Sequence, residues 1–231
     1  MRAARSVAGI VGLGLVAAAC TGGGNGGGGG DGASGLAGAA TARCLLDPDA
    51  PVEEVNAIPT DAASALDDPD DASFPEPLVE TDCILSGGPP PDGIPAIDEP
   101  KFLDPGEVDF LEDREPVMAI EIEGDARAYP LQIMTWHEIA NDEVGGVPVT
   151  VTYCPLCNTA IAYDRRLGGE VLDFGTSGKL YNSALVMYDR QTESLWSHFT
   201  AQGIVGALTG ARLDTVPVDI VSWEEWREAN P

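Results

Sequence analysis

The chain changes character near Pro116, and this change does most to limit the folds that are open to it. From there onward, short apolar runs alternate with turn signals built from glycine and small polar residues. Residues 117–122 form the first run, Gly124-Asp125 is a turn signal, and residues 126–131 supply the returning strand of a hairpin. Further strands are predicted over 147–153, 160–164, 171–174, 184–188, 194–199 and 212–216, and turns are predicted between them at Gly168-Gly169, residues 175–178 and residues 191–193. Strands at this spacing predict a mainly β (β-rich α+β) fold, built as an antiparallel sandwich or barrel.

Two short helices are expected beside these strands. Residues 132–141 carry the best helical pattern, in which Met134 and His137 lie together three positions apart. The residues that share another face of this helix are Ile133, Trp136 and Ala140. Near the other end of the chain, Ser222 is predicted to cap a C-terminal helix through a capping box. The globular domain is therefore predicted over residues 101–231, with one helix before the cysteine-bearing strand and one at the end.

The charge balance limits the partners that the chain can bind. It carries 12 basic and 38 acidic side chains, which give a formal net charge of −26 at pH 7. Such a surface would repel a polyphosphate, so the counterion release that drives nucleic-acid binding would not occur. We therefore expect no nucleic-acid partner.

The first nineteen residues have the pattern of an export signal. Arg2 and Arg5 precede an apolar run over residues 7–18, which is too short to span a bilayer as a stable anchor. The run ends in Ala17-Ala18-Ala19-Cys20, which resembles a bacterial lipobox. This pattern predicts a lipoprotein signal peptide over residues 1–19, with the cysteine acylated as the new N-terminus.

Acylation of Cys20 would anchor the protein to the bacterial cell membrane on its extracytoplasmic side. The alternative is an ordinary secreted protein cleaved near Ala19, and both hypotheses place the chain outside the cytoplasm. Residues 20–42 are nearly all Gly, Ala, Ser and Thr and are predicted to form a flexible tether. The membrane is thus an expected partner, reached through the lipid, because anionic headgroups would repel the acidic chain.

The next segment, residues 43–100, is acidic and rich in proline, and no helical or strand period extends beyond a few residues. Cys44 and Cys83 bracket most of it. In an oxidising compartment they form the natural disulfide, which would contribute roughly 4 kcal/mol by closing a loop of about 40 residues. A competing hypothesis places all four cysteines that follow Cys20 around one zinc ion.

The motif Cys154-Pro155-Leu156-Cys157 carries the most reactive side chains of the chain. Such a Cys-Pro-x-Cys can be a redox couple, can bind a metal through two thiolates, or can be a plain disulfide. A thioredoxin-like pair begins a long helix within a βαβ unit. Here the residues after the motif end at Gly168-Gly169 and further strands follow, so the context disfavours a thioredoxin fold.

Several distinctive motifs follow one another in the second half of the chain. They are Tyr129-Pro130-Leu131, Trp136-His137-Glu138-Ile139, Asn141-Asp142, Gly145-Gly146-Val147-Pro148-Val149, Thr152-Tyr153-Cys154-Pro155-Leu156-Cys157-Asn158, Phe174-Gly175-Thr176-Ser177-Gly178 and Leu185-Val186-Met187-Tyr188-Asp189-Arg190. With these motifs in this order, residues 94–231 resemble the bacterial and archaeal domain-of-unknown-function family numbered 3179. The resemblance implies no activity. It implies a C-terminally shortened chain, since relatives usually continue beyond the position matching Pro231, and the position of His198 is often Gln in such sequences.

Soft-metal binding is the function that the residues favour. Two thiolates with imidazole and thioether suit Cu(I), and two thiolates with imidazole also suit zinc. The predicted ligands are Cys154 and Cys157 with His137, and Met187 or Met134 would complete the site. The imidazole could instead be a hydrogen-bonded structural group or a general base, and the methionines could be core residues.

Two other functions stay open. The same cysteines could make a thiol–disulfide redox protein, or they could staple a turn in a binding module without chemistry. A hydrolase is the least supported, because Ser177 lacks the Gly-x-Ser-x-Gly arrangement. Asn182 and Tyr188-Asp189-Arg190 are expected to be turn and ion-pair positions. The patterns leave open whether the protein is an enzyme.

Overall fold

The computed structural model of the protein describes residues 44–231. The predicted signal peptide, the predicted lipidation site Cys20 and the predicted tether over residues 20–42 lie outside these residues. Within the described part, no helix is both long enough and apolar enough to cross a membrane.

Strands dominate the described residues and are numbered in chain order. The first sheet has the spatial order β1 (Ile84–Ser86), β10 (Phe174–Tyr181), β11 (Ala184–Asp189), β12 (Leu195–Ser197) and β13 (Gly203–Val205). The second has the order β14 (Thr215–Val216), β7 (Thr159–Asp164), β6 (Val147–Cys154), β5 (Ile139–Val144) and β2 (Ile97–Asp98). A third sheet joins β15 (Asp219–Ser222), β3 (Pro116–Ile122) and β4 (Asp125–Pro130), and β8 (Arg166–Leu167) pairs with β9 (Glu170–Val171). Among these strands β2 and β5 run parallel and all other pairs run antiparallel, so the predicted mainly β fold is confirmed.

Strand β6 lies between two cores, because its side chains alternate between opposite faces of the second sheet. Cys154 belongs to the core shared with the first sheet, together with Leu185 and Met187 of β11. Val151 and Tyr153 belong to the other core, which the third sheet and the first helix help to build. A strand buried on both faces has the nearly continuous apolar and β-branched sequence seen over this run.

Two α-helices accompany the described strands. Helix α1 (Leu131–His137) buries Leu131 and Met134, and helix α2 (Trp223–Ala229) has the predicted capping box between Ser222 and Glu225. Two 3₁₀ turns span Thr81–Cys83 and Pro105–Glu107.

The prediction of a helix over residues 132–141 was wrong beyond His137. Glu138 adopts a positive φ of 58°, which ends the helix, and the chain then enters β5. Strand pairing explains this outcome, because Ile139 lies opposite Thr152 in an unbroken ladder with β6. Trp136, which the helical pattern placed on a shared face with Ala140, is 76% exposed.

The acidic segment before residue 100 is mostly irregular and packs on the sheets. The predicted disulfide between Cys44 and Cys83 is present, so the hypothesis of one zinc ion held by all four cysteines is excluded. The Leu46 backbone N–H donates to the Tyr181 hydroxyl at 2.8 Å. Ala65 lies in a core cluster on the outer side of the first sheet.

Residues 175–178, predicted as a turn, lie inside the long strand β10, and the strand predicted over residues 171–174 is split between β9 and β10. The glycines allow close packing instead of a turn. A side chain at Gly178, which has a φ of +70°, would collide with the Pro89 carbonyl, and one at Gly175 would collide with Asp92. The register between β10 and β11 shifts here, so the strand continues through a bulge.

Candidate functional site

The Cys-x-x-Cys motif forms the connection of the β6–β7 hairpin. Cys154 closes the ladder opposite Thr159, so residues 155–158 make the turn. Asn158 takes the left-handed φ of 49° that asparagine tolerates well. Its side-chain oxygen accepts a hydrogen bond from the Tyr153 hydroxyl at 2.9 Å. The strand ladder and this hydrogen bond together fix the turn, which holds the two cysteines at one end of the second sheet.

Both cysteines of the turn are free thiols, and they contact each other. Cys154 is only 1% exposed, whereas Cys157 is half-buried, and the Cys157 sulfur lies 3.8 Å from the Cys154 carbonyl oxygen. Burial raises the pKa of the Cys154 thiol, and the hydrogen bond between the two thiols raises it further. The backbone N–H groups of Leu185 and Cys157 donate to the Cys154 sulfur and oppose this rise. The site is therefore a buried sulfur with two backbone donors beside a more accessible sulfur.

His137, the predicted third ligand, ends helix α1 near the same corner. The Glu138 carbonyl accepts a hydrogen bond from the Tyr153 N–H at 2.8 Å, which brings the helix end beside the end of β6. The His137 ring nitrogen Nδ1 lies 2.7 Å from the Pro95 carbonyl oxygen. Over residues 44–231, no three or more His, Cys, Asp or Glu side chains are grouped closely enough to hold a metal ion. The two cysteines thus lie together in the structure, and the His137 imidazole is not grouped with them.

The two candidate methionines lie in different cores. Met187 is fully buried in the cluster that contains Cys154, on the same strand as the N–H donor Leu185. Met134 is buried in the other core, against Met118 and other residues behind the second sheet. Of the two thioethers, the one on β11 shares the surroundings of the thiols.

Sequence patterns gave no sign of a buried polar network beside the cysteines. His198 is 1% exposed, and its Nε2 lies 2.9 Å from the hydroxyl of Thr152, two residues before Cys154 on β6. This hydroxyl donates to the Ile161 carbonyl, so it accepts from His198 and the ring carries its proton on Nε2. Burial lowers the pKa of His198 to about 4. The network joins strands that are distant in sequence, which explains why a linear motif did not reveal it.

The comparison with family models decides what kind of chain this is. Residues 91–231 match the model described as "Protein of unknown function (DUF3179)". The chain belongs to this family. No curated protein and no solved structure gives a significant match. The DUF3179 description assigns no activity, so the chemistry must be argued from the residues.

The remaining motifs of the DUF3179 domain have structural roles. The Ser177 hydroxyl donates to the Val186 carbonyl inside the bulge of β10, which leaves no exposed nucleophile at this position. Arg190 pairs with Asp98 at 2.8 Å and with Asp92 at 3.4 Å, as expected of an ion-pair position. Asn182 has a φ of 50° in the turn between β10 and β11. Of these residues, Arg190 ties the segment before residue 100 to the first sheet.

Proposed function

We propose that the β6–β7 hairpin binds one Cu(I) ion through the sulfurs of Cys154 and Cys157. The observation that carries this proposal is the pair of free, mutually contacting thiols on one fixed turn. Thiolate sulfur is a soft ligand, and soft ligands suit Cu(I), zinc and iron–sulfur clusters. The hairpin context supports metal binding over thioredoxin-like chemistry, because no helix begins at the motif.

Copper(I) fits the donor set better than zinc does. Structural zinc sites are almost always closed by four protein ligands. The part of the chain that the structure describes offers two thiols and no third His, Cys, Asp or Glu in the same group. Cu(I) accepts a low coordination number, so two thiolates suffice for it. Met187 belongs to the same core cluster as Cys154 and is the proposed source of a further soft contact.

Burial opposes the negative charge that binding would create at Cys154, and two backbone donors offset part of this cost. Two thiols lose their protons when one Cu(I) ion binds, so the site gains one net negative charge and releases two protons. The metal stays Cu(I), and no electron is transferred. The backbone N–H groups of Leu185 and Cys157 donate to the Cys154 sulfur and stabilise this charge in a buried place.

Access to the site favours exchange of the ion with another carrier. Cys157 is half-buried, and its neighbour Leu156 is 70% exposed, so this side of the turn faces solvent. Cys154 is covered by the core. An ion would arrive at the outer sulfur first and then reach the inner one.

The proposal extends to where this binding occurs. The leader with Arg2 and Arg5, followed by the lipobox-like sequence that ends at Cys20, supports export and lipid anchoring to the bacterial cell membrane. The disulfide between Cys44 and Cys83 supports an oxidising compartment. In this proposal the domain handles copper outside the cytoplasm, held near the membrane by its lipid.

A second candidate function is reversible disulfide formation by the same pair. The contact between the two sulfurs and the partial exposure of Cys157 favour it. Each thiol would lose one proton and one electron to a disulfide of a partner protein, which would be reduced to two thiols. The raised pKa of Cys154 lowers the share of reactive thiolate, which weighs against this candidate.

The test is a Cu(I) competition titration of the reduced protein without oxygen, against a chromophoric chelator such as bathocuproine disulfonate. We expect one Cu(I) ion per chain. Cys154→Ser and Cys157→Ser should each abolish tight binding, because either change leaves a single thiolate. The matched control is the double variant Cys44→Ser/Cys83→Ser, which removes two other cysteines and should keep the copper affinity.

The outcomes separate the two candidates. Reduced protein that binds no copper but forms a Cys154–Cys157 disulfide exchanging quickly with dithiols would establish the redox function instead. If neither copper binding nor rapid exchange occurs, both chemical functions are wrong and the pair is a structural element of a binding module.

The role of His137 has its own test in the same titration. We expect His137→Ala to leave the Cu(I) affinity unchanged, because the structure does not group this ring with the thiols. A loss of tenfold or more, about 1.4 kcal/mol, would show that the imidazole is a ligand.

A further inference from the structure

The pairing between β11 and β12 is incomplete at the end of these strands that lies beside the cysteines. The last pair of the ladder at this end is Val186 with Ser197. One step further, the His198 N–H donates to the Leu185 carbonyl at 3.3 Å, as one half of an antiparallel pair. The other half, a bond from the Leu185 N–H to the His198 carbonyl, is not formed among residues 44–231. One donor and one acceptor are therefore left for other groups.

Two side chains of the second sheet take these two places. The Leu185 N–H donates to the sulfur of Cys154, which ends β6. The hydroxyl of Tyr163, on β7, donates to the His198 carbonyl. All four residues are buried, so water does not compete for these bonds. The sulfur thus has its donor at the point where the His198 carbonyl is occupied by a hydroxyl.

His198 is fixed in this position by its side chain as well. Its ring Nε2 donates to the hydroxyl of Thr152 at 2.9 Å, two residues before Cys154 on β6. His198 is therefore bonded to Thr152 of β6, to Tyr163 of β7 and to Leu185 of β11. These bonds tie the strand that carries the buried sulfur to the strand that carries its backbone donor.

We propose that Tyr163 and His198 are positioning residues that keep the Leu185 N–H on the Cys154 sulfur. The Tyr163 hydroxyl occupies the carbonyl that an antiparallel pair would otherwise offer to this N–H. A thiolate formed at Cys154 then keeps one charge-assisted hydrogen bond. The effect on copper rests on the proposed function, whereas the hydrogen bond can be measured in the metal-free protein.

The first test is Tyr163→Phe in the reduced, full-length protein. This variant keeps the ring but frees the His198 carbonyl, so the Leu185 N–H should move from the sulfur to the carbonyl oxygen. The Leu185 amide resonance in ¹H–¹⁵N spectra of the metal-free protein should then shift downfield, because sulfur is the weaker acceptor. The Cu(I) affinity should fall about tenfold, the range of one hydrogen bond to a charged group.

Tyr129→Phe is the matched control. It removes another buried hydroxyl, which donates to Asp142 at 2.6 Å and belongs to the core on the other face of β6. This change should alter neither the Leu185 resonance nor the copper affinity. An unchanged Leu185 resonance in Tyr163→Phe, or an equal shift in both variants, overturns the proposal. If the resonance shifts only in Tyr163→Phe and the unaltered protein binds no copper, the positioning role stands and the copper function fails.

A second pair of variants keeps the test decisive if Tyr163→Phe does not fold. His198→Leu and His198→Gln both remove the ring, but only the Gln amide can still donate to the Thr152 hydroxyl. We expect the Leu variant to differ from the Gln variant in its Leu185 resonance, and to bind Cu(I) about fivefold more weakly. The same Leu185 resonance in both variants overturns the proposal, because the bond to Thr152 would then have no part in placing the donor.

Discussion

The two pairs of cysteines in the described chain differ in almost every respect. Cys44 and Cys83 are 39 positions apart, lie in an irregular segment and are joined by a disulfide. Cys154 and Cys157 are three positions apart on a hairpin turn and remain free thiols. The first pair restrains a long loop, and the second pair presents two donors on a rigid support. The first pair is structural, whereas the second is the pair to which the proposed function assigns a chemical role.

Breaking the bridged pair should have the largest effect on stability. We expect Cys44→Ser/Cys83→Ser to lower the free energy of unfolding by about 4 kcal/mol, because the unfolded chain regains the freedom of a loop of about 40 residues. Urea denaturation under non-reducing conditions measures this. A loss below about 1 kcal/mol would mean that the contacts of the segment with the sheets, and not the bridge, hold it in place.

The surroundings of the free pair can be probed through pH. Burial lowers the pKa of His198 from 6.5 to about 4 in the folded protein. As pH falls through about 6.5, the unfolded chain binds a proton that the folded protein does not bind until about pH 4. The contribution of His198 to the free energy of unfolding, about 3 kcal/mol, should therefore be fully present above this window and be lost as the pH falls through it.

The variant His198→Gln isolates this contribution. The Gln amide can still donate to the Thr152 hydroxyl, but it does not titrate, so the variant should lack this part of the pH dependence. Urea denaturation of both proteins from pH 4 to pH 7 measures the difference. Equal slopes in the two proteins would show that the buried ring is not the group responsible.

The smallest expected effect compares the two thiols of the free pair. Cys154→Ala removes a fully buried sulfur from the core and should cost about 1 kcal/mol of stability. Cys157→Ala removes a half-buried sulfur from the turn and should cost about half as much. Thermal unfolding of the metal-free proteins gives both values. A larger loss for the outer cysteine would reverse the assignment of inner and outer sulfur.

Much of this architecture could be predicted from local patterns. The apolar runs between turn signals gave the mainly β class, and the spacing of Ser222 and Glu225 gave the capped C-terminal helix. The disulfide between Cys44 and Cys83 followed from the number of cysteines and from the expected compartment. These features depend on residues close in sequence or on simple counting.

The features that were missed depend on pairing between distant segments. Residues 139–144 have a weak strand pattern with Asn141 and Asp142 in the middle, and the ladder with β6 makes them a strand. The glycines of β10 predict a turn from local sequence, because the packing of Pro89 against Gly178 joins segments far apart in the chain. The contact between His198 and Thr152 joins two sheets, so no period along the chain could reveal it.

The segment before residue 100 also protects the sheets from other chains. β1 pairs with β10 at one side of the first sheet, and β2 pairs with β5 at one side of the second, so each covers a strand that would otherwise be an open edge. Open edges are templates for aggregation, whereas very short edge strands are poor ones. The family match begins at residue 91, after β1. A protein cut at that boundary would expose the backbone of β10 and should form oligomers through this edge, whereas the uncut chain keeps it covered.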